Sequence, residues 1–328
     1  MKHTQSDNRT LKLVDVVRRQ GHYAAILAAC ITAIAITAFL YFSGALLSEK
    51  APWYFTSLAE YRGILLTIII IPTYLIFCFF IAFRKSLNLA DQIDRRFDTS
   101  LFSRIQNLPS KPMLVAFMVG TLWALLFNVP GNVLGFLSAS VEERSVAIGQ
   151  IFMWGTAFSL LLHRIIIARA FTRTGASVPI DIFVPERLNH FAQNGLIDVL
   201  TISGAMILTM AQSLDFSFRF DNYSKSLAIA GPAILYLSMQ PMWDLHKRMQ
   251  KMQARALEAI GLDIAKASKV SQPADMQRLE TLLQRRDRLS SLSTWPINVT
   301  LIQRFILYVV LPPLAWVGAA LVEELVTG

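Results

Sequence analysis

Apolar residues along the chain are gathered into long blocks separated by polar, mostly basic segments. The blocks cover 24–47, 64–83, 113–137, 146–168, 196–213, 226–243 and 300–322. Each runs to about 20 residues, roughly what an α-helix needs to cross a hydrocarbon layer ~30 Å thick. The pattern predicts an all-α polytopic membrane protein of about seven transmembrane helices. Blocks 196–213 and 226–243 are short and broken by polar residues or proline, so six spans is the competing count.

The polar segments carry patterns of their own. In "SLNLADQIDRRFDTSLFSRIQNL", residues Leu89, Ile93, Phe97, Leu101 and Ile105 recur at every fourth position. That spacing predicts one amphipathic helix with an arginine-rich opposite face, lying on the membrane surface or packed on other cytoplasmic helices. From Trp243 to Ser271 the chain reads as a long polar helix; "QPAD" interrupts it at Pro273, and "DMQRLETLLQRRDRLSSL" starts another. Met276, Leu279, Leu283 and Arg286 have the spacing of a packing seam on that second helix. The expected organisation is residues 1–243 with six spans and cytoplasmic amphipathic segments, a cytoplasmic helical hairpin at 244–295, and a last span at 296–328 reached through "STWP". No internal repeat or low-complexity tract interrupts this plan.

Composition agrees with a membrane chain. It is 54% hydrophobic and 16% charged with a mean hydropathy of +0.46, against about a quarter charged in ordinary soluble domains, which excludes that class. Charge then orients the spans, because Lys and Arg accumulate on the cytoplasmic side. Of the 31 such residues, 25 fall in the amino-terminal segment, 84–112, 164–195 and 244–295. Five (Lys50, Arg62, Arg144, Arg219 and Lys225) fall in the alternate loops, and Arg304 opens the last block. The amino terminus is therefore expected in the cytoplasm and the carboxyl terminus outside, which requires an odd number of spans. The net charge of +9 needs no nucleic acid; anionic lipid headgroups are sufficient partners. The first block exceeds the length of a signal-peptide core and reads as a retained signal anchor. Cys30 and Cys78 lie within blocks and read as small buried hydrophobes.

No metal-ligand spacing, phosphate-cradling loop or set of acid, base and nucleophile is present, so neither an enzyme nor a cofactor or metal site is expected. "TISGA" (Thr201 to Ala205) reads as a close helix contact rather than a nucleophile site, and "EER" (Glu142 to Arg144) as a solvated turn. Three intramembrane features remain as polar or gating candidates. Asn128, Pro130 and Asn132 occupy "NVPGNVLG", either a kinked packing face or a polar pore. Asp198 falls at the depth of His163 and Arg164 on neighbouring antiparallel spans, which suits a structural ion pair or a proton or ion relay. Pro312 and Pro313 break two successive ladder bonds, to Tyr308 and Val309, so that backbone must face protein or a water-filled cavity. Glu323 and Glu324 would then set acidic charge at the outer mouth of a path.

Seven spans, an internal amino terminus and a helical cytoplasmic segment before the last span resemble the layout of insect olfactory-receptor channels. The resemblance covers arrangement, carries no sequence motif, and implies a last span that lines a pore; no residue role transfers. The expectation is a homo-oligomeric channel or transport protein with a pore or hinge at the last span. The alternative is a signalling or scaffold module that recruits partners through its basic cytoplasmic helices.

Overall fold

A computed structural model describes residues 4–52, 55, 57–127, 139–212, 220–268, 273–295, 303 and 307. Among these residues the chain is helical and has no strand. The helices are α1 (Thr4–Phe42), α2 (Leu58–Phe97), α3 (Leu101–Gln106), α4 (Lys111–Phe127), α5 (Val141–Gly175), α6 (Asn189–Thr209), α7 (Phe220–Ala267) and α8 (Pro273–Ser290), with 3-10 turns at Pro185–Leu188 and Met210–Gln212.

Their starts follow local chemistry. Ser57 caps α2 by accepting from the Glu60 amide at 3.1 Å. A capping box opens α5: Ser140 Oγ accepts from the Glu143 amide at 3.2 Å, and Glu143 Oε2 accepts from the Ser140 amide at 2.9 Å. The acids of "EER" are thus the first turn of α5, where carboxylates favour the helix dipole, rather than a free turn. At the other end Arg248 of α7 donates to the carbonyls of Gly175 and Val178 at 2.7 and 2.9 Å, satisfying groups the end of α5 leaves open.

Packing builds a ring of four helices. α2 lies against α5 and α6, and α7 closes the ring by packing on both of these. α1 leans on α2 from outside, and α4 on α5. The outer faces of these two peripheral helices are apolar and exposed, including Ile26, Leu27 and Ile34 on α1 and Leu114, Met118 and Leu122 on α4. A soluble protein would turn such faces inward; here they form a belt suited to lipid. Among the described residues four helices are long and apolar enough to cross a membrane: His22–Phe42 within α1, α2, α5 and α6. The expected third span coincides with the shorter apolar helix Lys111–Phe127, the sixth falls within α7, which is not among those four, and the seventh lies outside the described residues.

One expected helix is two. α2 continues past its apolar block to Phe97, Asp98 takes a left-handed conformation (φ 51°), and α3 restarts at Leu101. Asp94 organises the corner: its carboxylate accepts from the amides of Leu101 and Phe102, both at 2.8 Å, and from the Thr99 hydroxyl. The expected apolar row survives the break, since Leu89, Ile93, Leu101 and Ile105 are all buried, in a core shared with Ile167, Phe171, Phe191 and Leu245. The corner yields a prediction: Asp94→Ala should cost about 0.5–2 kcal/mol, the range of a lost cap. Thermal unfolding in detergent would measure it, and amide exchange should accelerate first at Leu101 and Phe102.

α8 returns along α7 in the opposite direction. Gln253 donates to the carbonyls of Leu289 and Leu292 at 2.6 and 3.2 Å, and Ile260 packs with Leu289 and Ile182. The seam differs from expectation. Leu289 is buried and Leu279 and Leu282 are half-buried, whereas Met276, Leu283 and Arg286 are exposed, because α8 meets its neighbours mainly through its carboxyl-terminal end.

Candidate functional site, a polar network under an apolar cavity

α2, α5 and α6 converge on four buried polar side chains. Arg164 of α5 donates through Nε to Asp198 Oδ1 and through one Nη2 to Ser86 Oγ at 2.8 Å and Asn194 Oδ1 at 3.2 Å. Ser86 of α2 donates to Asn194 Oδ1 at 2.7 Å, and Asn194 Nδ2 lies 3.4 Å from Asp198 Oδ2. Arg164 is 1% exposed and Asp198, Asn194 and Ser86 are 0% exposed. A guanidinium and a carboxylate so deeply buried are tolerable only because each is paired and hydrogen-bonded. One group is left over: Nη1 of Arg164 is buried without an acceptor.

Above this network the ring encloses a cavity of about 260 Å³. Its walls are stripes at helical spacing, from Glu60 to Leu75 on α2, Gln150 to Arg164 on α5, Thr201 to Thr209 on α6 with Gln212 of the 3-10 turn that follows, and Ile229 to Ala233 on α7. Fourteen residues separate Gln150 from Arg164, so the cavity is about 20 Å tall at 1.5 Å per residue. The lining is predominantly apolar, with Ile68, Ile71, Met153, Phe158, Ala205 and Met206 among it. Arg164 forms its lower end, and the buried core of α2, α3, α5, α6 and α7 lies beyond.

Proline shapes these walls. Pro72 lies inside α2 and Pro232 and Pro241 inside α7, and both helices run on through them. Pro241 cannot bond the Leu237 carbonyl; Gly195 of α6 approaches closely there, a Cβ on it lying 3.1 Å from that oxygen. Thr172 of α5 donates to the neighbouring Gln240 carbonyl at 2.7 Å, tying α5 to α7 at the same level.

The structure brings Arg164 and Asp198 together and separates His163 from them. Consecutive helical residues point about 100° apart, so both cannot address α6. His163 is buried instead against Phe79 and Phe83, with ring centroids 4.8 and 5.4 Å away. Asn128, Pro130, Asn132, Pro312, Pro313, Glu323 and Glu324 lie outside the described residues. In "TISGA", Gly204 abuts the Tyr74 hydroxyl so closely that a Cβ would overlap it, and that hydroxyl donates to the Leu200 carbonyl at 3.3 Å. Ser86 and Asn194 escaped the sequence reading. Asn194 carried a signal, one turn before Asp198 on the same face; Ser86 sits beside Arg84 and Lys85 at the start of the stretch that reads as a cytoplasmic amphipathic helix, outside the apolar block. Comparison of the chain with protein-family models, curated proteins and solved structures finds no match.

Proposed function

We propose that the chain is a multi-pass membrane transport protein, with seven spans and a cytoplasmic amino terminus, whose solute occupies the cavity between α2, α5, α6 and α7. One observation carries this reading: a tall, mostly apolar cavity inside a helical ring, bounded at one end by a buried charged network. Ligand sites between helices of a bundle take this form, apolar walls with a few fixed polar groups, and intramembrane charge is costly enough to mark such sites. The bias of basic residues supports the orientation. The aromatic cluster on α7 supports a membrane boundary at that level, though not its side: Trp243 and Trp295 lie 6.3 Å apart with the Lys247 ammonium 5.1 Å from the Trp243 ring centroid, side chains suited to a headgroup layer. A pore along the last span rests on Pro312, Pro313, Glu323 and Glu324, which lie outside the described residues, whereas the cavity rests on four described helices.

The test is access. In a background of Cys30→Ser and Cys78→Ala, Ala205→Cys places a thiol in the cavity wall. A charged, membrane-impermeant thiol reagent should modify it in sealed vesicles from either face, as alternating access requires. Leu47→Cys in the exposed α1–α2 connection serves as the one-sided control. Modification of Leu47→Cys with none of Ala205→Cys from either face would discard the reading. A second reading is favoured by the exposed basic surface of α8, with Arg278, Arg285, Arg286 and Arg288 facing outward: a scaffold that binds acidic partners or anionic headgroups. Deleting 273–290 separates them, because transport through the ring would persist and recruitment would not.

A further inference from the structure

Resting on the transport reading, we propose that the cavity takes an apolar molecule with a protonated amine head, held at the end lined by Glu60, Gln150, Thr209 and Gln212, with its apolar body reaching from there toward the Arg164 end. The lining is divided along its height, and close helix contacts fix the levels. A Cβ on Gly63 of α2 would fall 2.5 Å from the Gln212 carbonyl oxygen, and one on Gly149 of α5 would fall 2.5 Å from Ile68 Cγ2. Glu60, about one turn before Gly63, therefore stands with Gln212, and Thr209 and Gln150 follow within about two turns. Further in, the lining is aliphatic and aromatic, so an apolar body gains there by leaving water. Polar groups return only with Thr201, whose hydroxyl donates to the Ile197 carbonyl at 2.9 Å, and with Arg164, which is turned to Asp198, Ser86 and Asn194.

The head follows from what the polar end offers. Gln150, Thr209 and Gln212 are half-buried, so they keep surface that a ligand can meet. Two of the four groups have a fixed role. Glu60 as a carboxylate only accepts, and the Thr209 hydroxyl has given its proton to the Met206 carbonyl at 2.6 Å, which leaves its lone pairs. The amides of Gln150 and Gln212 carry both donors and an acceptor and serve either kind of head. A carboxylate, sulfate or ester would therefore set lone pairs against the two fixed acceptors. An ammonium brings donors and no lone pair, and its bond to a carboxylate is of the charge-assisted kind that offsets lost hydration. This requires lone pairs on Glu60 and not a bare charge, and a carboxylate has several whatever else it engages. At the far end Asp198 matches the Arg164 guanidinium, so that cation does not oppose a second one.

The experiment uses the full chain in nanodiscs of zwitterionic lipid, so that surface charge does not gather cations. The probe is decylamine with a diazirine at the far end of its chain, beside the alcohol and the carboxylate of the same chain. From Gln150 to Phe158 the helix advances about 12 Å, within reach of that chain, so photolysis and peptide mapping should place adducts on Leu75, Phe158 and Ile202. The alcohol and the carboxylate should each label these residues about ten-fold less, the worth of a hydrogen bond between charged groups. Glu60→Gln, which keeps the side-chain shape, should lower labelling by the amine about as much and leave labelling by the alcohol unchanged. The comparison of analogues on the unaltered chain stands even if that variant does not fold. Ala205→Phe, which fills the apolar part and leaves the polar end intact, should abolish cavity labelling while the outer faces of α1 and α4 are labelled as before. Adducts confined to those outer faces overturn the proposal. Equal labelling by the three probes does so too, as do adducts on Ile64 and Gln212 in place of Phe158 and Ile202, which would mean a reversed molecule. Failure of this ligand class and failure of the transport reading are separable. If Ala205→Cys is modified by the aqueous reagent but the amine leaves the cavity unlabelled, a solute of another class replaces it. If the amine labels the cavity and the reagent never reaches Ala205→Cys, the amine site stands and transport falls; if neither enters, both fall.

Discussion

Replacing Asp198 by alanine is expected to destabilise the bundle by about 3–5 kcal/mol, the cost of removing one partner of a buried ion pair. The guanidinium of Arg164 would stay where it is, enclosed by α2, α5 and α6, with only Ser86 and Asn194 as acceptors and no countercharge. Arg164→Met alone should be damaging for the mirrored reason, since Asp198 would keep only the long contact from Asn194. Together with Asp198→Leu the loss should be largely recovered, because a buried pair replaced by apolar residues of similar volume is often near neutral. A double-mutant cycle read by denaturation in detergent should therefore give a coupling of at least about 2 kcal/mol. Additive effects of the two single changes would mean that the pair does not act as a unit. The recovered double variant also separates stability from transport: it should fold and fail to move solute, whereas a purely structural pair would leave transport intact.

The parts of this fold that were legible in the sequence are those set by local rules. Apolar block length located α1, α2, α5 and α6, and matched depth on neighbouring antiparallel spans pointed Asp198 at the fourth span. What escaped depends on tertiary contacts. Helical spacing linked Leu89 through Ile105 into one helix, yet the chain turns at Asp98 because Asp94 can cap a new helix that starts at Leu101, and the apolar row stays buried across the corner. His163 and Arg164 were indistinguishable by depth; only the rotation of α5 against α6 gives one the carboxylate and the other two phenylalanines. The cavity was invisible for the same reason. Its walls come from four stripes that each read as ordinary apolar spacing, and a void between helices leaves no mark on any one of them.

A single substitution made at two sites shows how far that dependence goes. Gly120 and Gly261 both lie inside helices, and alanine has the better intrinsic propensity at either position by about 0.5–1 kcal/mol. At Gly261 a Cβ would meet nothing within 4 Å, so Gly261→Ala should stabilise the chain by about that amount, chiefly by restricting the unfolded backbone. At Gly120 the same Cβ would fall 2.5 Å from the Trp154 carbonyl oxygen and 2.8 Å from the Gly155 Cα. Both are backbone atoms of α5, which cannot rotate away as a side chain can, so α4 and α5 must move apart. Overpacking of this kind costs about 1–3 kcal/mol, which outweighs the gain in propensity and reverses the sign. The separation has its own reporter, because the Trp123 and Trp154 rings face each other across this contact with centroids 6.2 Å apart. Gly120→Ala should lower the denaturation midpoint in detergent and shift tryptophan emission, while Gly261→Ala should raise the midpoint and leave emission unchanged. Equal shifts of the midpoint in the two variants would mean that α4 does not pack on α5 through Gly120, and the apolar helix beside the ring would need another docking face.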